Sequence, residues 1–143
     1  MKLYEKDNIV RVDDEVYYIE IVGERLRLND KKKLGISVDD DSFDAIKDIE
    51  ISDWLLDNIF NKEKEDSWIA DSIHTDTFYI PYYRIEKDES GEVYCFTRGG
   101  KILMYMGYVR ELQNIYHLYS DNEDGDYLND DIDKKIKGLF KLI

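Results

Sequence analysis

The chain has 143 residues, with 33 acids against 20 bases and a formal net charge of −13, which is long enough for one domain with one core and short for two. Hydrophobic residues at 43% and charged residues at 37% are the balance of a folded soluble protein and exclude a disordered chain. The strong acidity argues against direct binding to nucleic acid, which is driven by Lys and Arg displacing counterions. No apolar run approaches the roughly 18 residues of a membrane span, and the lone cysteine, Cys95, excludes an intrachain disulfide or a multi-cysteine zinc site.

The N-terminal stretch MKLYEKDNIV has no apolar h-region, so the expected location is the cytoplasm. Ile9–Val12 and Glu15–Val22 are rich in β-branched and aromatic residues around Asp13-Asp14, the pattern of a β-hairpin. Gly23-Glu24 permits a second turn into Leu26-Arg27-Leu28. Residues 1–37 hold eight acids and eight bases and are neutral. Lys31-Lys32-Lys33 reads as a solvated loop.

Residues 38–76 differ in kind. They carry thirteen acids against three lysines, so most of the chain's net negative charge lies in about a quarter of its length. Ser42 is placed to cap a helix over 43–49, with Phe43, Ile46 and Ile49 at spacings of three. Ser52 is placed to cap a second helix over 53–64, with Leu55, Leu56, Ile59 and Phe60 on one stripe. The stretch SWIADSIHTD that follows fits either a helical turn or a loop.

Residues 77–106 read as a three-stranded meander: TFYIPYYRIE, EVYCF and KILMYM, joined by turns at DESG and RGG. Pro81 has no amide hydrogen and belongs on an edge strand or at a bulge. A helix over 108–119 presents Tyr108, Leu112, Ile115, Tyr116 and Tyr119 on one stripe, and a last helix over 131–142 presents Ile132, Ile136, Leu139, Phe140 and Ile143. Residues 77–118 are neutral, with five acids and five bases. The expected architecture is a single α+β domain over 1–143. A mostly antiparallel sheet, made of the N-terminal hairpin and the central meander, packs against about four helices.

The loop Ser120–Asp131 has a glycine where a calcium loop needs its sharp turn, but it begins with Ser120 and ends in Asp131 in place of Asp and Glu. It reads as a solvated acidic connection, and no metal or other cofactor is expected. Cys95, between Tyr94 and Phe96, reads as a small core residue without the cationic neighbour of a reactive thiolate. No phosphate-binding glycine loop, GxSxG or HExxH is present.

The charge segregation is the feature that bears on function. Within the expected helices, Asp44 with Asp48 and Asp53 with Asp57 place like charges four apart, which repel by a few tenths of a kcal/mol in an isolated helix. Acids held in this way suit a face built for a basic partner. The expected binding residues are Asp39, Asp40, Asp41, Asp44, Asp48, Asp53, Asp57, Glu63, Glu65 and Asp66, with Trp54 and Trp68 as interface anchors or core residues. Lysine at Asp44, Asp48, Asp53 and Asp57 together is expected to abolish binding without unfolding the domain.

The leading expectation is a non-enzymatic inhibitor whose acids occupy phosphate positions in the cleft of a nuclease or other nucleic-acid enzyme. By analogy with small acidic proteins that lack catalytic motifs, the context is toxin immunity or anti-CRISPR-like anti-defence. Two alternatives stand beside it. One is a small enzyme with a site near His74 or His117; the other is a structural or accessory subunit that associates through a tyrosine-rich sheet.

Overall fold

The computed structural model describes residues 4–21, 26–29, 37–38, 46–70, 83–120 and 132–143. The class is α+β, but the strands form two antiparallel sheets where one was expected, and the described helices number three.

The first sheet contains β1 (Ile9–Val12), β2 (Glu15–Ile21), β3 (Leu26–Leu28), β4 (Ser37–Val38) and β5 (Ile46–Asp48), in the order β4-β3-β2-β1-β5. The expected hairpin forms with Val12 opposite Glu15, and Asp13 takes the positive φ of 53° that a tight two-residue turn requires. The second sheet contains β6 (Asn61–Lys64), β7 (Ser67–Ile69), β8 (Tyr83–Lys87), β9 (Tyr94–Arg98) and β10 (Lys101–Met106), in simple up-and-down order. Gly99 and Gly100, at φ 57° and 86°, make its β9–β10 turn, a conformation that side chains with a Cβ resist.

Three helices accompany the sheets: α1 (Asp53–Ile59), α2 (Val109–Ser120) and α3 (Ile132–Leu139). Ser52 caps α1 as expected, its hydroxyl accepting from the Leu55 amide at 3.2 Å. Leu112, Ile115 and Tyr116 of α2 and Ile132 and Ile136 of α3 are buried in the main core, whereas Tyr108 and Ile143, expected on the same stripes, lie outside the two helices and are exposed, α3 ending at Leu139. Tyr116 joins this core to the second sheet, packing edge-on to Phe96 and donating its hydroxyl to the Ala70 carbonyl at 2.8 Å. Ile9 of β1 belongs to the same core, whereas Val10, Ile19, Leu28 and Ile46 form a smaller cluster on the other face of the first sheet.

Two expectations on the acidic segment are corrected. Within the span expected to be a helix over 43–49, residues 46–48 form strand β5, paired with β1 as Val12↔Ile46 and Val10↔Asp48. A spacing of three fits a helix face, but in a strand it sends side chains to opposite faces. Ile46 therefore lies in the smaller cluster and Ile49 in the main core. Residues 43–45 lie outside the described residues.

The helix expected over 53–64 stops at Ile59. Beyond Phe60, Asn61-Lys62-Glu63-Lys64 has no apolar side chain to continue the stripe, and it pairs instead with β7. Helix propensity favours that lysine- and glutamate-rich stretch, and the tertiary pairing overrides it. The undecided stretch after it begins with a strand, β7, whose Trp68 is fully buried in the main core.

In the meander, β10 forms over the expected residues, while β9 runs two residues beyond the expected EVYCF end, to Arg98. Tyr83–Lys87 is the described part of the first strand; Pro81 lies outside the described residues. A β-bulge between Ile102 and Met104, opposite Phe96, explains why KILMYM does not alternate. Leu103 and Met104 both pack against the core.

Candidate functional site: an acidic end of the second sheet

The second sheet brings three separate stretches to one of its ends. Ser67 pairs with Glu86 and Tyr94 with Lys87, so the β6–β7 turn and the β8–β9 turn lie side by side. The Lys87 amide donates to the Asp66 carbonyl at 3.0 Å, and the Asp88 amide to the Val93 carbonyl at 2.8 Å. The first turn of α1 reaches the same place, because Asp53 accepts from Lys87 Nζ at 3.0 Å and from the Tyr94 hydroxyl at 2.6 Å.

Carboxylates gather there from Asp53 and Asp57 on α1, from Glu65 and Asp66 in one turn, and from Asp88, Glu89 and Glu92 in the other. The bases on the strands that flank these turns are Lys62 and Lys64 on β6, Arg84 and Lys87 on β8, and Arg98 on β9. Lys87 lies between Asp53 and Asp66, the second at 3.3 Å, so its charge serves two acids at once. The bond from Asp53 holds the Lys87 pKa above its ordinary value, and those from Tyr94 and Lys87 hold the Asp53 carboxyl below its own. Tyr94 is pushed well above the usual phenol range, first by burial and then by Asp53, and stays a neutral donor.

Each described acid of the expected face has a definite place. Asp48 is not on the exposed face: its side chain is 4% exposed and receives both Nε and Nη2 of Arg110, at 3.1 and 3.2 Å. Asp57 accepts the indole N–H of the buried Trp68 at 2.8 Å. Glu63 lies on the outer face of β6 and takes Arg84 Nε at 2.7 Å. Glu65 is exposed in its turn, and Asp66, at φ 64°, shapes that turn. Asp39, Asp40, Asp41 and Asp44 lie outside the described residues, as do His74 and most of the Ser120–Asp131 loop.

The like charges of Asp53 and Asp57 are thus compensated through tertiary contacts, Lys87 for one and an indole for the other. It follows that replacing Asp48, Asp53 and Asp57 with lysine would remove structural bonds as well as surface charge, contrary to the expectation of an intact fold. Trp68 is core. Trp54 is exposed, with Phe140 edge-on at 6.3 Å.

Sequence reading missed Asp88, Glu89 and Glu92, which sit in a segment that is neutral when counted along the chain. Only strand pairing sets them beside Glu65 and Asp66. Asp88 also builds its own turn, its carboxylate accepting from the Ser90 hydroxyl at 2.5 Å and the Ser90 amide at 3.1 Å, and the Ser90 bond first of all holds its pKa below the ordinary value.

His117 lies elsewhere, beside an open concavity of about 550 Å³ lined by Glu5, Lys6, Asp7, Leu118 and Asp133 among others. Its Nε2 meets Asp133 at 2.7 Å and its Nδ1 meets Glu5 at 3.2 Å. The Asp133 bond first, and Glu5 with it, raises the imidazole pKa to about 9 against the pull of burial. The ring is therefore charged at neutral pH, with a carboxylate at each nitrogen, and has no lone pair to act as a general base. The fully buried Gln113 completes the junction, accepting from the Ile9 amide at 2.9 Å and donating to the Asp7 carbonyl at 2.7 Å and Asp133 at 2.9 Å.

Cys95 is buried, and burial raises its thiol pKa, which removes it as a nucleophile at neutral pH. Among the described residues, no three His, Cys, Asp or Glu side chains are grouped to hold a metal ion, and no helix is long and apolar enough to cross a membrane. Compared with known proteins, the chain matches no family model, no curated protein and no solved structure.

Proposed function

We propose that the chain is a non-enzymatic inhibitor that binds the basic nucleic-acid cleft of a nuclease or other nucleic-acid enzyme in the cytoplasm, in an anti-defence (anti-CRISPR-like) or toxin-immunity setting. The observation that carries the reading is the convergence of acids from α1, the β6–β7 turn and the β8–β9 turn on one end of the second sheet. Carboxylates fixed by strand pairing form a rigid array of negative charge, and such an array can fill positions that phosphates take in a basic groove. The rigidity is in the hydrogen bonds: Asp53, Asp66 and Asp88 are held by Lys87, Tyr94 and Ser90. Glu65, Glu89 and Glu92 are exposed around them and supply the contact charge. Asp39, Asp40, Asp41 and Asp44 belong to the expected binding set and lie outside the described residues.

The test is capture from cell extract with the tagged chain, washed at low and then high salt, followed by assay of what is retained. A basic nucleic-acid enzyme that is held at low salt, displaced by DNA or RNA and inhibited by the chain would support the proposal. A partner that is neutral and resists salt would refute it. The enzyme alternative at His117 gains no support from a ring paired at both nitrogens.

A further inference from the structure

Several cations of this chain are held in one way, between an aromatic ring and a carboxylate. The Arg110 guanidinium lies 5.5 Å from the Tyr4 ring centre while its Nε and Nη2 bond Asp48 at 3.1 and 3.2 Å. Lys87 Nζ lies 5.6 Å from the Tyr94 ring centre and bonds Asp53 at 3.0 Å. Lys137 Nζ lies 4.1 Å from the Tyr18 ring centre and bonds Asp7. The ring face carries the negative part of the aromatic quadrupole and the carboxylate a full charge, so together they replace much of the water that a cation gives up.

The outer face of α1 presents the same two kinds of group to solvent. Leu55, Leu56 and Ile59 turn inward, which leaves Trp54 and Asp57, three residues apart and neighbours on the helix surface, on the opposite face. Trp54 is 56% exposed. Phe140, 6.3 Å away at a steep angle, steadies the indole, yet more than half of the side chain stays open. Asp57 is exposed and its direction is fixed, because Oδ1 accepts the Trp68 indole N–H at 2.8 Å; a carboxylate so held has further lone pairs to offer. Asp53, which precedes Trp54, is itself 47% exposed. A singly exposed aromatic side chain is ordinary. One set beside a fixed carboxylate repeats the arrangement that holds this chain's own cations.

We propose that Trp54 and Asp57 form a seat for one arginine side chain of a partner protein, with the guanidinium lying over the indole and donating to the Asp57 carboxylate. Arginine suits the seat better than lysine does. Its planar group stacks on rings, is more weakly hydrated than an ammonium, and offers several N–H donors in a fixed fork. Charge selects the partner: a chain of net charge −13, with Asp53 next to the seat, draws a basic surface and repels an acidic one. Tryptophan and arginine are also the side chains that most often anchor protein interfaces. The seat deepens the proposed inhibition and rests on that reading for its partner, since clefts that bind phosphates are lined with arginine. It assigns the choice of arginine to Trp54 and leaves the general attraction to the exposed acids at the end of the sheet.

Titration calorimetry of the intact chain with nona-arginine and nona-lysine peptides, equal in charge, at about 20 mM salt separates the seat from the general attraction. The wild type is expected to bind nona-arginine at least about threefold more tightly than nona-lysine. Trp54→Leu keeps an apolar side chain against Phe140 but removes the ring face; it should abolish most of that preference and leave nona-lysine binding nearly unchanged. Trp54→Phe should keep part of the preference. Glu89→Lys, exposed in the β8–β9 turn, should weaken both peptides alike, and circular dichroism establishes that each variant is folded. Equal affinity of the wild type for the two peptides overturns the proposal. So does a preference that a folded Trp54→Leu retains in full. A captured partner that is neutral and resists salt would refute the inhibitor reading while leaving the peptide result standing, so the two failures are told apart.

Discussion

Replacing His117 with glutamine should flatten one part of the protein's pH profile. In the folded chain the imidazole pKa is raised to about 9, against an ordinary 6.5. A folded pKa above the unfolded one means that protons stabilise the fold. The contribution is therefore complete below about pH 6.5 and is lost as pH rises through about 9. At about 1.4 kcal/mol per pKa unit the full difference is roughly 3 kcal/mol. Water screens the pair, however: the His117 side chain is 29% exposed and Glu5 is 52% exposed. A discounted contribution of about 1–2 kcal/mol is the reasoned figure. Urea unfolding of the wild type and His117→Gln at about pH 6 and about pH 9.5 measures it. The stability gap between the two proteins should be about 1–2 kcal/mol larger at the lower pH. A gap that stays constant, or widens as pH rises, refutes the clamp formed by Asp133 and Glu5.

Other substitutions test the structural roles of the acids. Asp48→Ala leaves the Arg110 guanidinium, 14% exposed, without its bidentate partner, and should cost roughly 3 kcal/mol in chemical denaturation. Asp57→Ala orphans the Trp68 indole N–H and should cost about 1–3 kcal/mol with a change in tryptophan fluorescence, while Asp57→Asn keeps an acceptor and should recover most of the loss. Cys95, buried with a raised pKa, should react with a thiol reagent only as fast as the chain opens; rapid native-state labelling would show the second sheet to be looser than described.

The parts of the fold legible in the sequence were those with a strong local pattern. The stripes of α2 and α3 and the apolar strands β1, β2 and β10 could be read directly, because their periodicity is set by burial. The acidic segment misled because its local signals are ambiguous. Three isoleucine and phenylalanine positions spaced by three suit a helix, and Asn61–Lys64 has helical composition. Pairing with β1 and β7, contacts distant in sequence, decided both cases. The same limit applied to the site. A count along the chain finds the acids of 38–76 but assigns Asp88, Glu89 and Glu92 to a neutral scaffold. It equally includes Asp48, which is buried against Arg110, a partner 62 residues away.

The central claim is that exposed carboxylates at the end of the second sheet bind a basic cleft, and charge reversal at Glu65, Glu89 and Glu92 tests it most directly. These side chains are exposed, so the fold, checked by circular dichroism, should be unchanged. Inhibition by the triple lysine variant is then measured against the nucleic-acid enzyme captured by the wild type. The account predicts a loss of affinity of at least about a hundredfold, or roughly 3 kcal/mol. Full inhibition by the folded variant would contradict it and leave the acidic end as a solvated surface.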